Sequence, residues 1–144
     1  RAFAEGLEEE LPIKSKAKKQ RRIPYVSLLI INDEGKVMIE QRPADGLLAN
    51  MWQFPMVPIA EIGLEHIKSY IHGEYGIHIH LKQHRGKIKH VFSHIIWEIA
   101  VYDAETAAIE TEDEHVRFVR TQDLENYPFP VPHQKMMNYL PSRR

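Results

Sequence analysis

Tyr25-Val26-Ser27-Leu28-Leu29-Ile30-Ile31, then Asn32-Asp33-Glu34-Gly35, then Val37-Met38-Ile39-Glu40-Gln41 is the stretch on which the fold turns. Two runs rich in Val, Leu and Ile flank a segment whose Asn, Asp and Gly suit a tight turn, so residues 25–41 predict an antiparallel hairpin. Downstream, Pro43 to Met51 reads as a loop and Trp52-Gln53-Phe54-Pro55 as a short extended segment stopped by its proline. Leu64, Ile67, Ile71 and Tyr75 recur at helical spacing between Glu61 and Tyr75, with Gly76 where a C-cap glycine belongs. Ile77–Leu81, Arg85–Val91 and Ile95–Tyr102 read as strands, which leaves Phe92, Ser93 and His94 on a hairpin tip. A strand at Val116–Val119, a helical turn at Gln122–Tyr127 and a helix at Val131–Leu140, introduced by Pro128, Pro130 and Pro132, close the chain. No internal repeat is visible. This order predicts an α+β fold, a mixed β-sheet flanked by helices.

Upstream of the hairpin, residues 1–22 are charged and carry no sustained period, and are expected to form a connector to a domain spanning 23–144. At 144 residues and 43% hydrophobic, the chain has the size of one domain with a proper core. It contains no cysteine, which excludes disulfides and thiolate-held zinc or iron–sulfur sites within these residues. No run is long and apolar enough to cross a bilayer, and the N-terminus lacks a signal-peptide core, so a cytoplasmic protein without membrane contact is expected, and a monomer. Because the sequence starts at Arg1, without an initiator methionine, it is expected to be a piece of a longer protein. A net charge of −1 argues against coating nucleic acid by bulk charge, yet Lys14, Lys16, Lys18, Lys19, Arg21 and Arg22 crowd one stretch while acidic residues gather at 8–10 and 110–114.

Three stretches, Gly46-Leu47-Leu48-Ala49-Asn50-Met51-Trp52-Gln53-Phe54-Pro55, His90-Val91-Phe92-Ser93-His94 and Tyr127-Pro128-Phe129-Pro130, resemble in order the C-terminal domain of MutY-type adenine DNA glycosylases. Arg1-Ala2-Phe3-Ala4-Glu5-Gly6 resembles the segment that follows the last iron–sulfur cysteine in that family. The resemblance implies a degenerate Nudix (MutT-like) fold and a role in base-excision repair, with the iron–sulfur cluster and the catalytic domain in the missing part of the parent. No cofactor is expected in this fragment, and its implied partners are that catalytic domain and double-stranded DNA containing 8-oxoguanine opposite adenine. The box that carries catalysis in MutT-like pyrophosphatases has decayed. Laid on residues 69–77, it keeps Ile71, Glu74, Gly76 and Ile77 but has Ser69, Tyr70 and Gly73 where an arginine and two carboxylates belong. The fragment is therefore expected to catalyse nothing. The alternative is an active Nudix pyrophosphatase on oxidised nucleotides, for which Glu61, Glu65 and Glu74 would have to bind divalent metal.

Relative to guanine, 8-oxoguanine gains a carbonyl oxygen, and the adjacent ring nitrogen changes from acceptor to N–H donor. A serine hydroxyl can accept from that N–H or donate to the oxygen, and neighbouring backbone N–H groups can supply the other contact. By the resemblance, Ser93 reads the lesion, Phe92 braces the loop or wedges between bases, His94 helps place it, and His90 supports from the strand. Taken without the resemblance, Phe92 reads as a core side chain and Ser93 as a turn former. Arg85, Lys87 and Lys89 alternate and are expected to share one strand face leading to the tip, either meeting DNA backbone phosphates or simply solvated. His78 and His80, at i and i+2, are the residues a metal hypothesis would use, but no carboxylate or cysteine nearby completes a set. Trp52, Trp97, Met136 and Met137 read as packing.

Overall fold

The computed structural model describes residues 20–111 and 113–140. A seven-stranded mixed sheet forms the frame: β1 (Arg21–Asn32), β2 (Val37–Gln41), β3 (Trp52–Gln53), β4 (Met56–Pro58), β5 (Ile79–Val91), β6 (Ile95–Thr106) and β7 (Val116–Val119). Its main path runs β3-β2-β1-β6-β5, with β4 pairing to β1 and β7 to β2. Only β1 and β6 among these pair in parallel, in an unbroken register from Arg21–Ile95 to Asn32–Thr106. Among the described residues three short helices complete it: α1 (Ile59–Ile62), α2 (Ile67–Tyr75) and α3 (Val131–Met136), with 3-10 turns at Leu64–His66, Thr121–Asn126 and Met137–Tyr139. No helix among the described residues is long and apolar enough to cross a membrane.

The expected hairpin is β1–β2, and Asn32 closes its turn by accepting the N–H groups of Glu34 and Lys36 on Oδ1. Its first strand begins at Arg21, inside the stretch 1–22 expected to form a connector; positions 1–19 lie outside the described residues. The period-2 alternation of β6 sends side chains to two separate cores. Trp97, Ile99 and Val101 join Leu29, Val37, Ile39, Phe54, Leu124, Phe129 and Met136 beneath α3. Ala104 joins Val26, Leu28, Ile30, Met38 and Val57 beneath α2, whose Ile67 and Ile71 are fully buried. Burying each such aliphatic side chain contributes on the order of 1.5–3 kcal/mol.

Two of the three motif stretches are spent on one of these cores. Trp52 meets Tyr127 edge-on, Phe54 packs on Phe129 at 5.3 Å between ring centroids, and the Trp52 N–H donates to the Pro128 carbonyl. Trp97 and Met136 are buried, as packing residues should be.

Four local expectations are corrected. The helix expected from Glu61 to Tyr75 is broken at Gly63, whose φ of 84° no helix continues through, so α2 begins only at Ile67 and Leu64 is left half exposed. It ends as expected at Gly76, in the left-handed region at φ 71°. The strands expected at 77–81 and 85–91 are one strand, β5, because two bulges keep residues 82–84 on the ladder. Met56-Val57-Pro58, between prolines, forms the extra strand β4: Pro58 is its last residue, and Leu28 donates to the Pro55 carbonyl beside it. The closing helix turns 3-10 after Met136.

Candidate nucleic-acid interface

The hairpin of β5 and β6 projects Phe92-Ser93-His94 from one end of the sheet. Phe92 N–H donates to the Ile95 carbonyl at 2.7 Å across the two residues between them, and the Arg21 N–H of β1 donates to the His94 carbonyl at 3.0 Å. The turn is thus held from its own strands and from the neighbouring one. Ser93 and His94 are exposed, Phe92 and His90 half buried.

Phe92 does not hang free. Its ring stands edge-on to Trp97 at 4.9 Å and to His90 at 4.7 Å, and Trp97 in turn meets Tyr25 at 5.5 Å. Edge-to-face pairs of this kind are worth about 0.5–1.5 kcal/mol beyond area burial. His90 stands opposite Trp97 in the β5–β6 register, so both rings lie on the face covered by α3. Phe92, Ser93, His94 and His90 are therefore brought together, with Ser93 and His94 outward and Phe92 seated on a buried indole.

The basic row does not share one face. Lys87 stands opposite Ala100 and Lys89 opposite Glu98, on the α2 side, where they line a cavity of about 530 Å³ with Tyr25 and Tyr102. Arg22 joins them through an ion pair to Glu98 at 2.6 Å. Arg85 is the extra residue of the bulge between His84 and Gly86, which inverts its parity, and it reaches Asp103 at 3.6 Å instead. Burial pushes the Asp103 carboxyl up from its ordinary value, and the positive charges of Arg85 and Lys82 partly offset this.

Sequence reasoning missed Arg42, which a loop-edge position gave no reason to single out. Its Nε donates to the Leu47 carbonyl at 3.0 Å and its Nη1 to Gln53 Oε1 at 2.8 Å, while the guanidinium lies 5.6 Å from the Trp97 ring centroid. Gln53 Nε2 continues to Glu40 Oε2 at 2.8 Å, and Tyr75 Oη donates to Glu40 Oε1 at 2.7 Å. Burial raises the Glu40 carboxyl above the usual range against these two donors and the Arg42 charge. Burial and the Glu40 carboxylate hold the Tyr75 hydroxyl well above its ordinary value. The loop 43–51 is closed by Arg42 N–H to the Met51 carbonyl and Asn50 N–H to the Pro43 carbonyl, with Leu48 and Asn50 both at positive φ.

The remnant of the hydrolytic box does not fit a divalent metal. Tyr70 and Gly73 stand at carboxylate positions, Glu40 is committed to Tyr75 and Gln53, and Glu65 lies against His66. Among the described residues no three His, Asp or Glu side chains converge to hold an ion, so Glu61, Glu65 and Glu74 form no such set. His78 stacks on His72 at 4.3 Å between ring centroids rather than pairing with His80.

A family model described as NUDIX domain matches residues 26–139. The chain is 32% identical to an adenine DNA glycosylase of Rattus norvegicus over 59% of its length, and spans only 19% of that relative. The fold resembles a MutT protein from Methanosarcina mazei Go1 (TM-score 0.70, 18% identity, 85% of this chain and 94% of that one). It also resembles the C-terminal domain of mouse MUTYH, solved in complex with human PCNA (TM-score 0.62, 20% identity, 83% and 87% covered).

Proposed function

This chain belongs to the NUDIX domain family, and from that premise we propose that it is a DNA-lesion recognition module: the 8-oxoguanine-reading domain of an adenine DNA glycosylase. Excision of the opposed adenine, and the iron–sulfur cluster, would belong to the rest of the parent protein. One observation carries the reading. Of the three motif stretches, those around Trp52 and Tyr127 are consumed by core packing, whereas Ser93 and His94 are held outward on a turn anchored at both ends. A polar pair costs nothing to expose, but a fixed polar pair on a seated aromatic is what reading a base edge requires.

In this reading the Ser93 hydroxyl accepts the ring N–H that distinguishes 8-oxoguanine from guanine, and tip backbone N–H groups donate to the added oxygen. Phe92, backed by Trp97, resists displacement as the tip enters between strands. Lys87, Lys89 and Arg22 supply sequence-independent attraction to backbone phosphate from the α2 side of the same hairpin, and Arg85, tied to Asp103, contributes less. Hydrolysis of an oxidised nucleoside triphosphate has no support in the donor set, since neutralising the phosphates needs several oxygen ligands on a metal.

The test joins this chain to the catalytic domain of an adenine DNA glycosylase and compares adenine excision opposite 8-oxoguanine with excision opposite guanine. Replacing Phe92 and Ser93 together by alanine should shrink the preference while basal excision persists. An unchanged preference would remove the tip from lesion reading.

A further inference from the structure

Arg42 is a half-buried cation that donates to two neutral acceptors, the Leu47 carbonyl and Gln53 Oε1, while its face lies over an indole that is itself 2% exposed. No carboxylate is its direct partner in these contacts; the nearest negative charge in the network, Glu40, is reached through Gln53. An arginine held this way acts by its shape. The planar fork satisfies two acceptors at a fixed angle, and the plane that results presses on Trp97. Trp97 is the surface on which Phe92 stands, and Phe92 is the residue immediately before the exposed Ser93-His94 pair.

We infer that Arg42 is a positioning residue for the reading tip, setting the seat of Phe92 through Trp97 and locking loop 43–51 to the same hairpin. The inference rests on the lesion-reading role proposed above. The line of contacts is continuous: Tyr75 on α2 to Glu40 on β2, Glu40 to Gln53 on β3, Gln53 to Arg42, Arg42 to Trp97 on β6, Trp97 to Phe92 at the tip. Each link is a hydrogen bond of 2.7–2.8 Å or a ring contact under 6 Å, so the tip's height is referred back to the helix on the opposite side of the sheet. A lysine keeps the charge but offers neither the fork nor the plane, and so separates this role from simple electrostatics.

The experiment uses the joined enzyme and Arg42→Lys, with Arg42→Gln as a second variant and Phe92→Ala plus Ser93→Ala as the control. Arg42→Lys should lower the 8-oxoguanine preference about five- to tenfold, the size of one lost cation–π contact and one lost hydrogen bond. Excision opposite guanine should stay within about twofold, a range that only reaction-specific groups would exceed. Adding Arg42→Lys to the Phe92/Ser93 double variant should change nothing further, because the relay would have no tip to position. In this chain alone, the amide resonances of Ser93 and His94 should shift in Arg42→Lys, which confirms folding and displacement in one spectrum. If the control loses the preference while both Arg42 variants, folded by the same spectrum, keep it, the positioning role is wrong and the reading stands. If the control keeps it, the reading itself fails. A loss that adds fully to that of the control would make Arg42 a general structural support and overturn the relay.

Discussion

Lowering the pH from 7 to 4 loads the one imidazole that the fold buries completely. His133, at 0% exposure, accepts the Phe54 N–H on Nδ1 at 3.2 Å, which leaves its Nε2 proton to Met56 Sδ at 3.1 Å. Accepting from Phe54 requires the neutral ring, because a protonated imidazole has no acceptor nitrogen. Burial, and secondarily the Arg42 charge, push its pKa from 6.5 down to about 3. The unfolded chain therefore takes up a proton near pH 6.5 that the folded chain refuses until about pH 3, so stability is full above 6.5 and falls as the pH drops between those values. At about 1.4 kcal/mol per pH unit this costs roughly 3 kcal/mol by pH 4, a large part of the 5–15 kcal/mol typical of a domain. Glu40 acts with the opposite sign, since its raised carboxyl pKa lets acid favour the folded state. Urea unfolding at pH 7, 6, 5 and 4 should show the wild type losing, below pH 6, about 1.4 kcal/mol per pH unit more than a protein without the imidazole. His133→Asn keeps an acceptor for Phe54 and leaves Glu40 in place, so it should start lower at pH 7 and lose that slope. Parallel curves for the two proteins would refute the buried neutral imidazole.

Two further outcomes follow from the strand faces and the helix end. Removing Lys87 and Lys89 together should reduce the slope of log K against log salt by about 2 in duplex binding by the joined enzyme, while Arg85→Ala leaves it nearly unchanged; equal effects would return Arg85 to the lysine face. Gly76→Ala, at φ 71°, meets no neighbour within 4 Å, so it should cost about 1 kcal/mol through backbone strain alone, measured by denaturant unfolding.

The elements that were legible in the sequence are those whose reasons are local. The β1–β2 hairpin declares itself by two apolar runs around Asn32–Gly35, the tip by the polar break between β5 and β6, and the end of α2 by Gly76. Long-range choices were not legible. The parity of Arg85 depends on a bulge that exists only once β6 is beside it, and nothing near Met56-Val57-Pro58 says that β1 will receive it as a strand. Nothing beside His133, set among prolines, says that Phe54, distant in sequence, will be laid against it. The tip residues themselves were found through a resemblance, because Phe-Ser-His alone is ordinary turn chemistry. Arg42 was invisible for the same reason as Arg85: its partners, Gln53 and Trp97, come from other strands.

The parallel pairing of β1 with β6 fixes where the chain enters the domain. Arg21, the first residue of β1, is bonded to His94, so the first strand starts beside the tip rather than at the far end of the sheet. A unit joined ahead of β1 would be tethered close to the tip, at an effective concentration that reaches the millimolar range when the tether is short and flexible. In the lesion-reading role proposed above, a tip so tethered would discriminate with a weak intrinsic grip, because its encounters with a duplex held by the same molecule would no longer be limited by concentration.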